Sequence, residues 1–289
     1  MKNFLRSNPV CSNLVFILWL VGCMGFYLLL FGSVLDVFFV VVIVHLVSLV
    51  VALSPVGEWV MRLFDGVRKV EIYSEVSYIY PLFTEVYYEA SKKHHKLSKR
   101  IQVYIKDDAS VNAYAYGSNT IVLTRGALEV MDEDQLKGLL AHEVGHIALG
   151  DTKMLLALTI GGGFFSVFYG LIKLIVRILD FFIRFCYVRS ILRLFYVIYL
   201  LPIKFVRFIL VNLVWLFQTA SSLLIGLGSR SNQYKADEFA CRAGYREHLL
   251  SSLYLLHEMN ITGGGSLMER LKSSGPHIAS RIARLERMH

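Results

Sequence analysis

"LLAHEVGHIALGD", Leu139 to Asp151, places two histidines four residues apart with a glutamate directly after the first. On an α-helix, residues four apart share a face, so His142 and His146 can turn both imidazoles to one ion. Neutral imidazole nitrogens suit zinc at about 2.0–2.1 Å. Glu143 lies beside that face and can hold a water and take its proton. The bland alternative is a helix that happens to contain two histidines. A hydrolytic zinc takes three protein ligands and keeps one position open, so the rest of the chain has to supply a third.

The sequence around this stretch supports a helix. Asp132, with Gln135 three residues on, makes a capping box at its start. Upstream, "IQVYI" (Ile101–Ile105) and "TIVLT" (Thr120–Thr124) read as strands, with turn residues around Asp107 and Ser118. Pro81 to Lys96 reads as an amphipathic helix.

Farther out the chain becomes apolar. Of 289 residues 55% are hydrophobic and 18% are charged, against about 25% charged in soluble domains, so composition points to a membrane protein. The net charge of +8 does not point to nucleic acid. No recognition module is visible, and Lys and Arg flank the apolar runs as the positive-inside rule expects. The four cysteines, Cys11, Cys23, Cys186 and Cys241, form no CxxC pair, which argues against a disulfide framework or a Cys-ligated zinc.

Leu14–Phe31 and Val34–Leu53 each have the length of a membrane-spanning helix. Together they suggest a hairpin whose basic flanks (Lys2 and Arg6 before; Arg62, Arg68 and Lys69 after) stay on the cytoplasmic side. "LVGC", Leu20–Cys23, resembles a lipoprotein cleavage box, but the apolar run continues beyond it, which favours an uncleaved span. A second apolar stretch contains two candidate spans, Met154–Val176 and Phe205–Leu227, around a basic middle that reads as an interfacial helix or a connecting hairpin. Asp36 and His45 interrupt the first stretch and raise a transport-like reading. That reading leaves HEVGH unexplained.

The sequence also resembles a known family, the HtpX-type membrane zinc metalloproteases, relatives of the CaaX prenyl endopeptidases. The likeness rests on four motifs: "NAYAYG" (Asn112–Gly117), "TRGALEVMDEDQLKGLLAHEVGHIALGD" (Thr124–Asp151), "SRSNQYKADEFACRAGY" (Ser229–Tyr245) and "GPHIASRIARL" (Gly275–Leu285). It implies a mostly α integral-membrane protein carrying a zincin-like α+β metalloprotease domain, with a small sheet and the HEVGH helix. The expected organisation is a transmembrane hairpin over 1–55, a first protease part over 56–153, a membrane-embedded or interfacial insert over 154–228, and a second protease part over 229–289. The resemblance further implies one zinc per chain and a site on the cytoplasmic face of a bacterial inner membrane. The partners it implies are the lipid bilayer and protein substrates, in membrane-protein quality control.

Residue by residue, the resemblance makes His142 and His146 metal ligands and Glu143 the catalytic base. Asp237 becomes a carboxylate that orients a ligand histidine. Asn112, Ala113, Tyr114 and Ala115 form an edge strand that pairs with an extended substrate, and Arg230 is a substrate-positioning residue or a partner of Asp237. Asp151 is expected to cap the helix or tie it to the membrane segment.

Two positions depart from the family pattern. The family histidine of the last motif is Gly275 here, with His277 two residues on. The family's third ligand, a glutamate, is Gln233 here. A glutamine oxygen is a neutral and weaker donor, so the site would hold zinc less tightly and make its water more acidic. Three readings stay open: Gln233 is a neutral ligand; Asp237 or Glu238 replaces it; or the protein is a catalytically impaired pseudoprotease that binds membrane proteins.

Overall fold

The computed structural model describes residues 35–94, 97–98, 100–157, 159–160, 230–262 and 277–288, with isolated positions at 21, 25, 170, 174, 177, 178 and 181. The Leu14–Phe31 run, the Leu20–Cys23 box, most of 154–228, Gly275 and three of the four cysteines (all but Cys241) lie outside those residues, apart from the isolated positions.

The apolar helix α1, Leu35–Leu53, gives way to α2, Pro55–Asp65. The break is local chemistry. Ser54 Oγ accepts the Val56 N–H and Pro55 sits in the first turn, so a new helix starts there. Among the described residues no single helix is long and apolar enough to cross a membrane. Val42–Leu53 and Pro55–Asp65 pass that test together but meet at 80°. The single straight span expected at Val34–Leu53 is therefore not shown.

A short strand β1, Arg68–Lys69, leads into α3, Tyr73–Lys93. The expected helix began at Pro81; the observed one begins eight residues earlier and runs through it. Proline lacks an N–H and costs an internal helix one hydrogen bond. Here a buried stripe that starts before the proline, Ile79, Leu82, Phe83, Val86 and Ala90, outweighs that cost.

Three further strands, β2 (Gln102–Lys106), β3 (Ala113–Tyr116) and β4 (Thr120–Thr124), complete a sheet of order β1-β2-β4-β3. β2 and β4 are parallel, and the other two pairings are antiparallel. Central β4 is buried throughout, and β3 forms one edge. Period-two alternation separates two faces. Ala113, Ala115, Ile121, Leu123, Val103 and Ile105 join the main core, while Tyr104, Tyr116 and Val122 pack with Met61 of α2 and Val67.

The one-turn helix α4, Arg125–Val130, precedes α5, Glu133–Leu149, whose capping box is fully made. The Asp132 carboxylate accepts the Gln135 N–H at 2.8 Å, and Gln135 Oε1 accepts the Asp132 N–H at 3.1 Å. Gly150 ends α5 at φ +75°, a left-handed turn glycine takes without strain, and the chain passes directly into helix α6, residues 151–157.

Helices α7 (residues 230–242), α8 (Arg246–Thr262) and α9 (Ile278–Glu286) return to the same core. α8 crosses α5 closely: a Cβ on Gly138 would fall 2.3 Å from the His248 carbonyl carbon. Ser252 Oγ donates to the Gln135 carbonyl at 2.6 Å, and Arg246 Nε donates to the Leu285 carbonyl at 2.9 Å. Sequence on either side of the 154–228 insert thus builds one hydrophobic core.

Candidate metal centre

Helical spacing puts His142 and His146 on the same side of α5, as expected, with their Nε2 atoms 3.2 Å apart. Helix α7 brings Gln233 to the same point. Its Oε1 lies 3.1 Å from His142 Nε2, and its Nε2 lies 3.2 Å from His146 Nε2. Ligand atoms of His142, Glu143 and His146 all lie within 4.8 Å of one another. Donors around a tetrahedral zinc with bonds of about 2.0–2.1 Å stand about 3.3–3.4 Å apart. The separations between the two imidazole Nε2 atoms, 3.2 Å, and between Gln233 Oε1 and His142 Nε2, 3.1 Å, are close to that spacing; the contact to His146 is made by the amide NH2 of Gln233, which donates and does not ligate.

Each imidazole is also held from behind. His142 Nδ1 lies 2.8 Å from Asp237 Oδ1, and His146 Nδ1 lies 2.8 Å from Asp151 Oδ2. A carboxylate on Nδ1 keeps the proton there and leaves the Nε2 lone pair free for a metal. The three candidates for a third ligand are placed differently. Asp237 turns both oxygens away from the Nε2 atoms, one to His142 Nδ1 and both to Arg281. Glu238 is bound to Arg242 instead. Of the three candidates, Gln233 alone faces both histidine Nε2 atoms.

Asp237 was a candidate partner for Arg230, yet its guanidinium comes from α9. Arg281 donates from Nε to Oδ2 at 2.9 Å and from Nη2 to Oδ1 at 2.6 Å. Arg230 is exposed at the start of α7. The reading of Asp151 as only a cap or tie is also incomplete, because its carboxylate meets His146. The αL turn at Gly150 makes that contact possible by folding residue 151 back along α5. The sequence carried a weak signal for Arg281, since "RIARL" belongs to a matched motif, but only the fold shows what this arginine touches.

Burial sets the charges. It is the main cause that pushes His142 down to about 4, with help from the nearby Arg281 charge, so His142 is neutral at neutral pH. Metal ligation needs that neutral form. Burial would also push His146 down, but its hydrogen bond to Asp151 and that carboxylate's charge raise it. Burial pushes Glu143 up to about 7, against a hydrogen bond from the Ala115 backbone. Burial pushes Asp237 up as well, but its attractions to His142 and Arg281 prevail and hold it well below the usual carboxylate range. Since His142 is neutral, the charge that keeps Asp237 ionised is that of Arg281.

The edge strand runs beside this centre. Asn112 O accepts the Thr124 N–H at 3.1 Å. The alternation of an antiparallel ladder then turns the backbone groups of Tyr114 and Tyr116 toward β4 and those of Ala113 and Ala115 toward the open edge. A pocket of about 160 Å³ opens there, lined by Ala113, Tyr114 and Ala115 of β3, Glu143 and His146 of α5, Leu155 of α6, and Gln233, among others. Asn112 is exposed at the strand's start. Thr152 Oγ1 donates to the Gly117 carbonyl at 2.6 Å and ties α6 to the turn after β3.

The model of peptidase family M48 matches residues 83–289, which is most of the chain. The chain belongs to peptidase family M48. Within it, the HtpX homologues are similar in sequence. A protease HtpX homolog of Bordetella avium is 29% identical over 198 residues, covering 63% of this chain and 62% of that protein. One of Bacteroides fragilis is 38% identical over 73 residues, 24% of this chain and 23% of that protein. The matches therefore span less than two thirds of those relatives' lengths. The crystal structure of S. mikatae Ste24p shares the fold, with a TM-score of 0.50 and 18% identity over 96% of this chain and 66% of that one. The matched range takes in the residues that the geometry gathers: HEVGH on α5, Gln233 and Asp237 on α7, and Arg281 on α9. The chain is similar to the HtpX homologues of this metalloprotease family, and a family whose members generally use zinc agrees with the donor set described above.

Proposed function

We propose that this M48 peptidase is a zinc-dependent endopeptidase anchored in a lipid bilayer, with His142, His146 and the neutral Gln233 as its metal ligands. The observation that carries this reading is the meeting of three side chains from two helices at 3.1–3.2 Å, with a carboxylate behind each histidine. When bound there, zinc would supply Lewis acidity toward the scissile carbonyl and the attacking water.

The chain's own groups do the rest. Glu143 takes the proton of the attacking water and hands it to the leaving amine. Ala113 offers its outward backbone groups and Ala115 its carbonyl to pair with the substrate as an added strand, while the Ala115 N–H is held by Glu143. Asp237 and Asp151 hold the imidazoles in register, and Arg281 keeps Asp237 charged. Arg230 and Asn112, at the ends of this arrangement, contact substrate beyond the reacting bond.

The apolar helix α1 supports the membrane anchor, with Phe39, Ile43, Leu46, Val47 and Val50 exposed along it. The four-part division of the chain and the cytoplasmic placement of the site follow from the same reading, as does a role in quality control of membrane proteins. Lys137 and Lys235 must then label from one face of the membrane, because α5 and α7 share the site.

A second reading has its own observation. Gln233 replaces a carboxylate, so the site carries one more positive charge with zinc bound and holds the ion less tightly. On that reading the protein keeps the substrate strand and binds without cutting.

The deciding experiment is zinc per chain in detergent-purified protein, with His142→Ala as the blank, followed by peptide cleavage by wild type and Glu143→Gln. About one zinc, lost in His142→Ala, and cleavage lost in Glu143→Gln support the enzyme. No zinc above the blank, even with zinc supplied during purification, would leave the binding protein.

A further inference from the structure

The catalytic pocket has a continuation. A second cavity of about 420 Å³ lies on β3 and is lined by Tyr114, Tyr116, Met61, Phe64, Leu155 and Leu156, among others. It shares Tyr114, Ala115 and Leu155 with the catalytic pocket. The two therefore form one trough along the open edge of β3, walled by α2 on one side and α6 on the other. The second cavity takes in Tyr116 and excludes Ala113, whereas the catalytic pocket takes in Ala113 and excludes Tyr116. It thus lies toward the C-terminal end of the strand.

The walls are apolar and differ from the first pocket in chemistry. Phe64 is 84% exposed and Leu155 is 47% exposed, so both offer bare apolar surface to whatever lies in the trough. Of the polar groups at the floor, Asp65, Lys106 and the Tyr114 hydroxyl are matched with one another, while the Tyr116 hydroxyl is buried without a partner. Asp65 accepts from Lys106 Nζ at 2.7 Å and from the Tyr114 hydroxyl. With Asp65 and Lys106 paired to each other and Met61, Phe64, Leu155 and Leu156 on the walls, the cavity favours a large apolar side chain over a charged one, which would find only the Tyr116 hydroxyl as a free partner.

From these observations, and resting on the peptidase reading above, we infer that the cavity between α2 and the end of β3 is a substrate subsite for a large apolar side chain. Antiparallel pairing is the more stable kind. A peptide laid antiparallel on β3 passes Tyr116 before Ala113, so the subsite takes a residue N-terminal to the bond that is cut. At about 3.3 Å per residue the offset is roughly two to four residues. α2 follows directly on the apolar helix α1, so the substrate class that fits is an extended peptide with a bulky apolar residue just before the cleavage point.

The test separates binding from turnover. Fluorescent peptides with Leu, Phe, Ser or Asp scanned across the positions N-terminal to the cleavage region are titrated into detergent-solubilised, full-length Glu143→Gln protein. The same peptides are then offered to wild type for cleavage. The expected result is binding at least tenfold tighter for Leu or Phe than for Asp at one such position, and collapse of that preference in Phe64→Asp and in Leu155→Asp. Peptides with Ser at that position should bind the parent and Phe64→Asp, which lies outside the catalytic pocket, within about twofold. A preference that survives both variants, or one that lies C-terminal to the cleavage region, overturns the subsite, as does equal binding of all the peptides. Selective binding without cleavage by wild type would overturn the peptidase reading and leave the subsite standing.

Discussion

Arg281, near the chain's end, grips both carboxylate oxygens of Asp237, at 2.9 and 2.6 Å, while Asp237 in turn meets His142 Nδ1 at 2.8 Å. Forty-four residues separate the arginine from the aspartate. Helix α9 is thereby tied to the candidate metal centre.

Removing Arg281 should be costly twice over. Arg281→Ala leaves Asp237 as a buried, uncompensated charge, and breaking such a pair costs about 3–5 kcal/mol. It also frees the His142 ring, and loss of an outer partner typically weakens metal binding about 10–100-fold. Denaturant unfolding and a competitive zinc chelator titration measure the two effects. Arg281→Lys should recover only part of each, because it cannot make the two-pronged contact.

Asp151→Asn should act on the other histidine. The expected loss of zinc affinity is again about 10–100-fold, with the fold retained, since asparagine keeps the shape and can still accept from Nδ1. If zinc affinity is unchanged while stability falls, Asp151 is only a tie between α5 and α6.

Gln233→Glu should tighten zinc, since a carboxylate sets a negative charge against the dication where the amide is neutral. The measurement is zinc retained after dialysis against chelator. Weaker retention in the variant would mean that the amide is not at the metal.

Glu143 gives a pH signature in metal-free protein. Burial raises its pKa to about 7, so the folded state keeps the proton that the unfolded chain gives up near pH 4.5. Stability from the neutral carboxyl is present below about pH 4.5 and is lost as pH rises to about 7. Glu143→Gln stays neutral throughout. Metal-stripped Glu143→Gln should therefore match wild type near pH 4.5 and exceed it at pH 8 by up to about 3 kcal/mol. Melting both proteins at the two pH values checks this.

Gly138→Ala tests the packing of the two protease parts. The added Cβ would meet the α8 backbone at 2.3 Å, and forcing such an overlap typically costs about 1–3 kcal/mol. Thermal unfolding should show the loss.

Local chemistry was legible in the sequence. The capping box of Asp132 and Gln135, the strand Thr120–Thr124 and the pairing of His142 with His146 depend on residues within one or two turns, and each follows from spacing alone. In "AYAY" the alanines turn to the core while Tyr116 turns to α2. Helix α3 was harder, because Pro81 looks like a start and only burial of Ile79 and its successors reveals that the helix continues through it. The contacts of Arg281 and Asp151 could not be read from the sequence, and neither could the orientation of Asp237. A salt bridge between α9 and α7 depends on how helices far apart in sequence cross, and no local period encodes that crossing. The sequence by itself determined which residues can bind a metal. Only the tertiary structure decided which of them face it and which stand behind, because side-chain direction at a shared point is set by packing rather than by order along the chain.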